Sequence, residues 1–196
     1  MKVTVESATA QPVEVCSKAA GTCYGKGNAS TKRLETCYNS GHLSVFEHAN
    51  ATFRIEGISR ACMAQLTRHR LCSFCVESQR YCKYDLKGGD WYVMPEAFRD
   101  GGTYEKCFRQ SMLYSACEYH SAIESGIKPE DARYLLPEAT KTNLVMTCNA
   151  REIFHIFDMR RSQAAQWEIR QLADAMAEVL AQEGEEWAFL IGLWEK

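Results

Sequence analysis

The sequence predicts an α+β fold in a single domain spanning residues 1–196, on three observations. Two stretches, Ala49 to Glu56 and Leu144 to Cys148, alternate apolar and polar residues with the period of a half-buried strand. Two longer stretches, Thr103 to Ser125 and Ser162 to Leu180, repeat apolar residues every three to four positions, as the buried face of a helix requires. No internal repeat or low-complexity tract appears, and the 4 prolines are scattered rather than gathered into a linker.

Near the N-terminus, Val3 and Val5, then Val13 and Val15 after Pro12, alternate with polar neighbours and predict a short hairpin. Ser30 is placed to cap a helix through Leu34 and Tyr38, with Gly41 just past its end as a left-handed terminator. Gly41 to Glu47 is then a loop. In the strand that follows, Ala49, Ala51, Phe53 and Ile55 share one face and Asn50, Thr52, Arg54 and Glu56 the other, and Gly57 ends it. Ser59 caps a helix whose face carries Cys62, Gln65, Leu66 and His69.

The long helix from Thr103 sets Leu113, Ala116, Cys117, His120 and Ile123 in one stripe and stops at Gly126. A shorter helix lies between Pro129 and Pro137. After the strand of Leu144, Met146 and Cys148, Asn149 and Glu152 have the spacing of a capping box, and Arg151 and His155 share a face of the helix it opens. The last long helix buries Ala165, Ile169, Leu172, Met176, Val179 and Leu180 and ends at Gly184.

Composition narrows the function classes. With 23 Lys+Arg against 25 Asp+Glu, a net charge of -2 provides no global field for nucleic acid or an anionic membrane. An anionic ligand must therefore be held by a local cluster. Apolar residues make up 46%, yet no run approaches the ~20 consecutive residues of a membrane span. The opening residues Met1, Lys2, Val3, Thr4 and Val5 lack the apolar core of a signal peptide, so the expected location is cytoplasmic. The 10 cysteines are then expected to be reduced thiols that pack as small hydrophobes.

One local cluster stands out: Arg68-His69-Arg70, followed by Arg80, amid Leu66, Leu71, Phe74 and Val76. A guanidinium stays charged and presents a rigid fork of donors, so arginines gathered in a partly buried setting call for an anion. That anion is either a set of acids such as Glu47 and Glu77 or a phosphorylated ligand. On a helix, residues two apart point about 200° from each other, so Arg68 and Arg70 would face different groups. A zinc module would need two tight cysteine pairs, whereas Cys62, Cys72, Cys75 and Cys82 contain a single C-x2-C; no metal is expected. Arg68, Arg70, Arg80, Lys83 and Lys87 interleave with Tyr81, Tyr84 and Trp91 in the manner of a single-strand-binding surface, but the chain is slightly acidic and carries no recognition motif.

Arg68-His69-Arg70, seven intervening residues and Ser78, with Arg80-Tyr81 directly behind, resemble the R-H-R-x7-S signature of the flavin-dependent thymidylate synthases, the ThyX type. Further blocks stand in the family's order: Gly41 to His48, Ala132-Arg133 with Leu136-Pro137, Asn149-Ala150-Arg151, and Arg160 before Ala165-Gln166-Trp167-Glu168-Ile169. The similarity runs from about Lys18 to Arg170.

The resemblance implies a mixed sheet packed against a helical bundle, and a homotetramer whose active sites are shared between chains. It implies reductive methylation of dUMP to dTMP, with methylenetetrahydrofolate as carbon donor, FADH2 as hydride source, NADPH to recharge the flavin, and no cysteine nucleophile. By similarity, FAD is bound by Ser44, Glu47, Arg68, His69, Arg70, Asn149, Arg151 and His155. Gln65, Arg68, Glu77, Ser78, Gln79, Arg80, Arg133 and Arg160 bind dUMP, and Arg160 is the catalytic residue that stabilises the ionised N3 of the pyrimidine. Cys75-Val76 stand where family members often carry a polar pair, and Glu77 where they carry an apolar residue. Backbone groups are expected to replace the side-chain contacts there.

Overall fold

Strand β1 (Lys2–Ala8) pairs antiparallel with β2 (Asn50–Ser59), Val3 opposite Ile55 and Val5 opposite Phe53, with a register shift between Val5 and Ser7. The computed structural model describes residues 1–25, 27–84, 86 and 88–195, so Lys87 of the basic run lies outside the described residues. Along β2 the expected alternation holds, with Ala51, Phe53 and Ile55 buried. Gly57 does not end this strand. It takes φ 72°, a region glycine enters without steric cost, and its N–H donates to Asn143 Oδ1 at 3.0 Å while the strand continues to Ser59.

With β3 (Ser73–Val76) and β4 (Lys141–Asn149) the sheet order is β1-β2-β4-β3. The sheet is antiparallel, in place of the mixed one expected. The N–H of Ala150 donates to the Ala49 carbonyl and that of Arg60 to the Thr140 carbonyl, so falling residue numbers meet rising ones. The fold class is α+β. The chain divides into two compact units, one of Met1–Glu56, Leu66–Cys75 and Leu144–Lys196, the other of Gly57–Gln65 and Val76–Asn143.

In the first unit the expected N-terminal hairpin is replaced by β1 followed by helix α1 (Pro12–Thr22). Val13, Cys16 and Ala20 fall on one buried helical face, a longer pattern than the two alternating valines. Pro12 opens the helix where its missing N–H costs nothing, and the Glu186 carboxylate accepts the N–H of Val13 at 2.8 Å and of Glu14 at 3.2 Å. Helix α2 (Thr31–Asn39) forms as expected, since Ser30 Oγ accepts the Arg33 N–H at 3.3 Å and Gly41 takes φ 72° beyond its end. The loop expected after it is a 3-10 turn, Leu43–His48, that buries Phe46 edge-on to Tyr38 and Phe154, with ring centroids 6.1 and 5.3 Å away.

Helices α6 (Ala150–Arg160), α7 (Trp167–Ala181) and α8 (Glu185–Trp194) complete this unit. Helix α7 starts later than expected because Ser162 closes a local turn, taking the Ala164 N–H on its Oγ at 3.3 Å and the Ala165 N–H on its carbonyl at 2.9 Å. Gln166 then caps the helix by accepting the Glu168 N–H at 3.2 Å. Ile169, Leu172, Met176 and Leu180 are buried as expected, while Ala165 precedes the helix and Val179 is half-buried. Gly184, expected to end α7, instead precedes α8, which the apolar periodicity does not announce.

Trp187 on α8 is 2% exposed, and its indole N–H donates to the Thr9 carbonyl at 3.0 Å. Trp187→Ala is expected to cost about 3–5 kcal/mol of stability, read as a lowered urea unfolding midpoint with an unchanged slope.

In the second unit, Ser59 Oγ accepts the Cys62 N–H at 3.0 Å and starts helix α3 (Arg60–Leu66), which stops before His69. Helix α4 (Thr103–Glu124) buries Met112, Ala116, Tyr119 and Ala122 against Trp91, Tyr92 and Met94. The expected stripe is thus displaced by one position, and Leu113 is 57% exposed. The short helix α5 (Pro129–Ala132) continues as a 3-10 turn, Arg133–Leu135. None of the 10 cysteines forms a disulfide. Among the described residues no helix is long and apolar enough to cross a membrane.

Candidate active site

In the first unit α2, the 3-10 turn after it, the turn over residues 67–72 and α6 surround a cavity of about 860 Å³. The start of α6 is fixed by Asn149, whose Oδ1 accepts the Glu152 N–H at 2.9 Å. That cap places Arg151 and His155 on the face that borders the cavity and turns Glu152 inward, where it is buried. Glu152 does not complete a reciprocal capping box, because its carboxylate is engaged by a histidine.

That histidine is His69, 4% exposed, with Nδ1 3.2 Å from Glu152 Oε1 and Nε2 3.0 Å from Arg160 Nε. An arginine N–H only donates, so Nε2 must offer its lone pair and the ring proton sits on Nδ1, donated to Glu152. Burial, then the neighbouring charges of Arg160 and His155, push the His69 pKa down to about 4. Burial raises the Glu152 carboxyl, opposed by His155 and Arg151. In both groups burial is the largest cause. Of the 5 histidines, His69 should therefore retain the 15N shifts of a neutral ring at pH 5, well below the usual value of about 6.5. An imidazolium spectrum for His69 at that pH would contradict the assignment.

His69, Glu152 and His155 offer possible ligand atoms within 4.8 Å of one another, the composition of a two-histidine, one-carboxylate metal site. The geometry does not suit a cation: the lone-pair nitrogen of His69 is taken by Arg160, which brings a positive charge beside it. The group is a hydrogen-bonded thread.

Arg68 and Arg70 do not occupy a helix, since α3 ends at Leu66, and the buried member of the tripeptide is His69. Both arginines are exposed at the cavity, and among the described residues neither forms an ion pair. Arg151 differs, being paired with Glu47. Ser44 is exposed on the 3-10 turn beside Leu43, and only Leu43 lines the cavity. Of the residues assigned to FAD, the cavity thus gathers Arg68, His69, Arg70, Arg151 and His155, with Glu47 and Asn149 one contact behind.

Among the residues assigned to dUMP, Arg68 and Arg160 line this same cavity. The others lie in the second unit, where Gln79 and Arg133 line a cavity of about 300 Å³ and Gln65 is half-buried on α3. Arg133 Nε donates to the Glu130 carbonyl at 3.0 Å, and Arg80 forms an ion pair with Glu130 at 3.1 Å. Ser78 Oγ accepts the Arg80 N–H at 3.2 Å. Glu77 is held by Asn143 twice, its N–H on the Asn143 carbonyl at 2.9 Å and its carboxylate on the Asn143 amide at 2.8 Å.

Glu152, Tyr38, Phe154 and Asp158, to which no motif in the sequence assigns a site role, also line the first cavity. For Glu152 a signal existed. It sits four positions before Ile156 on the buried face of α6, where an acid is stable only with a partner.

The thymidylate synthase complementing protein family matches residues 4–183 of the chain, a stretch that covers both cavities. The flavin-dependent thymidylate synthase of Haloarcula marismortui is 35% identical over 92% of this chain and 91% of its own length. That of Pyrococcus furiosus is 38% identical over 92% of this chain and 79% of its own. The crystal structure of thymidylate synthase X (ThyX) from Helicobacter pylori with FAD and dUMP matches the fold with a TM-score of 0.82, at 27% identity and over 100% of both chains.

Proposed function

The chain belongs to the thymidylate synthase complementing protein family, the flavin-dependent thymidylate synthases, and on that premise we propose that it converts dUMP to dTMP with FAD. The observation that carries this reading is the pair of exposed guanidinium groups, Arg68 and Arg70, which form no ion pair among the described residues and border a cavity of about 860 Å³ that is also lined by Arg160. Two exposed, permanently charged forks match the two charges of a dinucleotide pyrophosphate. Asn149, Arg151 and His155 complete the cofactor set, with Ser44 and Glu47 beside them.

Bound and reduced, the flavin supplies the hydride, methylenetetrahydrofolate the carbon, and NADPH restores the reduced state. The chain's own contribution is charge and orientation. Arg160 stabilises the pyrimidine with N3 ionised, which raises electron density at C5. Its guanidinium cannot lose its charge, and His69, held neutral, accepts its Nε–H without adding a charge of its own. In the second unit Gln65, Glu77, Ser78, Gln79, Arg80 and Arg133 form the remaining substrate set. Arg80 exchanges its pairing with Glu130 for the nucleotide phosphate, and Glu77 acts through its backbone, since Asn143 occupies its carboxylate.

The reading uses no cysteine nucleophile, and Cys16 and Cys148 are buried with raised pKa values, which keeps these two as thiols. A homotetramer with shared active sites follows from the family reading, and the exposed side chains of Leu71, Tyr81 and Tyr134 are available for contacts between chains. Residues 1–196 act as one catalytic domain in the cytoplasm, with no nucleic-acid or membrane partner. Incubating the purified protein with FAD, NADPH, methylenetetrahydrofolate and dUMP tests the proposal. Formation of dTMP is expected, and an FAD-loaded preparation that forms none would refute it.

A further inference from the structure

The buried thread Glu152–His69–Arg160 joins an acid to an active-site cation through a single imidazole, and each link restricts the next. A carboxylate only accepts, so Glu152 holds the His69 proton on Nδ1. Nε2 is then a lone pair, the one state of that atom that the Nε–H of Arg160 can use. With its Nε–H committed to His69, Arg160 meets a ligand through its Nη edge, a planar fork that matches an anionic ring nitrogen and the carbonyl next to it.

We propose that Glu152, acting through His69, is the positioning residue that aims Arg160 at the pyrimidine. The proposal rests on the thymidylate synthase reading and deepens it. The opposite tautomer would set an N–H on Nε2 against the Nε–H of Arg160, two donors facing each other, and turn the guanidinium away. Glu152 needs only an acceptor atom for this task, and its charge is secondary. The Nε–H of Arg160 favours a lone pair on Nε2 without imposing it, so glutamine at position 152 would turn its oxygen, and not its amide nitrogen, toward His69, whereas with no acceptor there the Nδ1 proton loses its partner.

Glu152→Met and Glu152→Gln separate these roles, both keeping the side-chain volume. Glu152→Met is expected to lower kcat on the order of 10²-fold through misaimed Arg160, with FAD affinity and the KM for dUMP within about threefold of wild type. Glu152→Gln is expected to recover kcat to within about fivefold of wild type, since one acceptor and one geometry are retained. Histidine 15N spectra of the unmodified protein should show His69 as the Nδ1–H tautomer, kept in Glu152→Gln and shifted toward Nε2–H in Glu152→Met.

Wild-type kcat in Glu152→Met, equal damage in both variants, or an Nε2–H ring in the wild-type protein would each overturn the proposal. The tautomer is read without substrate, so failure of the wild-type protein to turn over dUMP would strike the enzymatic reading while leaving this one to the spectrum.

Discussion

Arg160→Ala is expected to lower kcat by roughly 10²–10³-fold, the loss typical of one preorganised group aimed at developing charge, while FAD affinity changes by less than about threefold because the assigned contact is to the pyrimidine. Arg160 reaches the cavity from the last turn of α6 and is fixed at Nε by His69. Alanine removes both the charge and the fork. Lysine should not rescue the loss, since an ammonium has no Nε–H for His69 and no paired donors for N3 and its neighbouring carbonyl. The substitution also removes one of the charges that depress His69, so the His69 pKa should rise from about 4 toward its ordinary value. A fully active Arg160→Ala enzyme would refute the assigned role.

The paired substitution Arg68→Ala with Arg70→Ala is expected to weaken FAD binding by roughly 10²–10⁴-fold, since each charge-assisted contact to a phosphate contributes about 1.5–3 kcal/mol. Neither guanidinium has to leave an acid among the described residues, so the full strength of both contacts is available to the ligand. Arg151 is different. Its pairing with Glu47 must be broken or shared first, and Arg151→Ala should cost clearly less. Flavin fluorescence titrations of the variants measure all three, and rising salt should narrow the gap between wild type and the double variant. Unchanged affinity in the double variant would remove Arg68 and Arg70 from the cofactor site.

Local chemistry made part of this legible in the sequence. Strands β2 and β4 follow from strict alternation, and α2 follows from the cap at Ser30 and the glycine at position 41. Helix α1 was hidden because two alternating valines imitate a strand, while its helical face includes a cysteine and an alanine that carry little hydrophobic signal. Helix α8 was hidden because Gly184 marks a chain break that reads equally as an end or a beginning, and because apolar residues surround the helix on most sides. On α4 the choice between Leu113 and Met112 depends on what lies opposite, namely Trp91, Tyr92 and Met94, which periodicity alone does not know.

At the site, the basic tripeptide and the Asn149 cap are local and were readable. The thread is not local: Glu152 and His69 lie 83 positions apart, and His69 reaches Arg160 across 91. A sequence motif can point to His69 as a site residue, but only the fold shows that it is buried, neutral and held between an acid and an arginine. The same holds for Glu77, whose carboxylate is taken up by Asn143.

The cavity lined by Arg68, Arg70, Arg151 and His155 is the proposed site of the flavin dinucleotide. Titration of the flavin-stripped protein with FAD, followed by quenching of flavin fluorescence, tests it most directly. Saturable binding of one FAD per chain, weakened by salt, is the expected result. Quenching that never saturates, or that saturates without any dependence on salt, would contradict it.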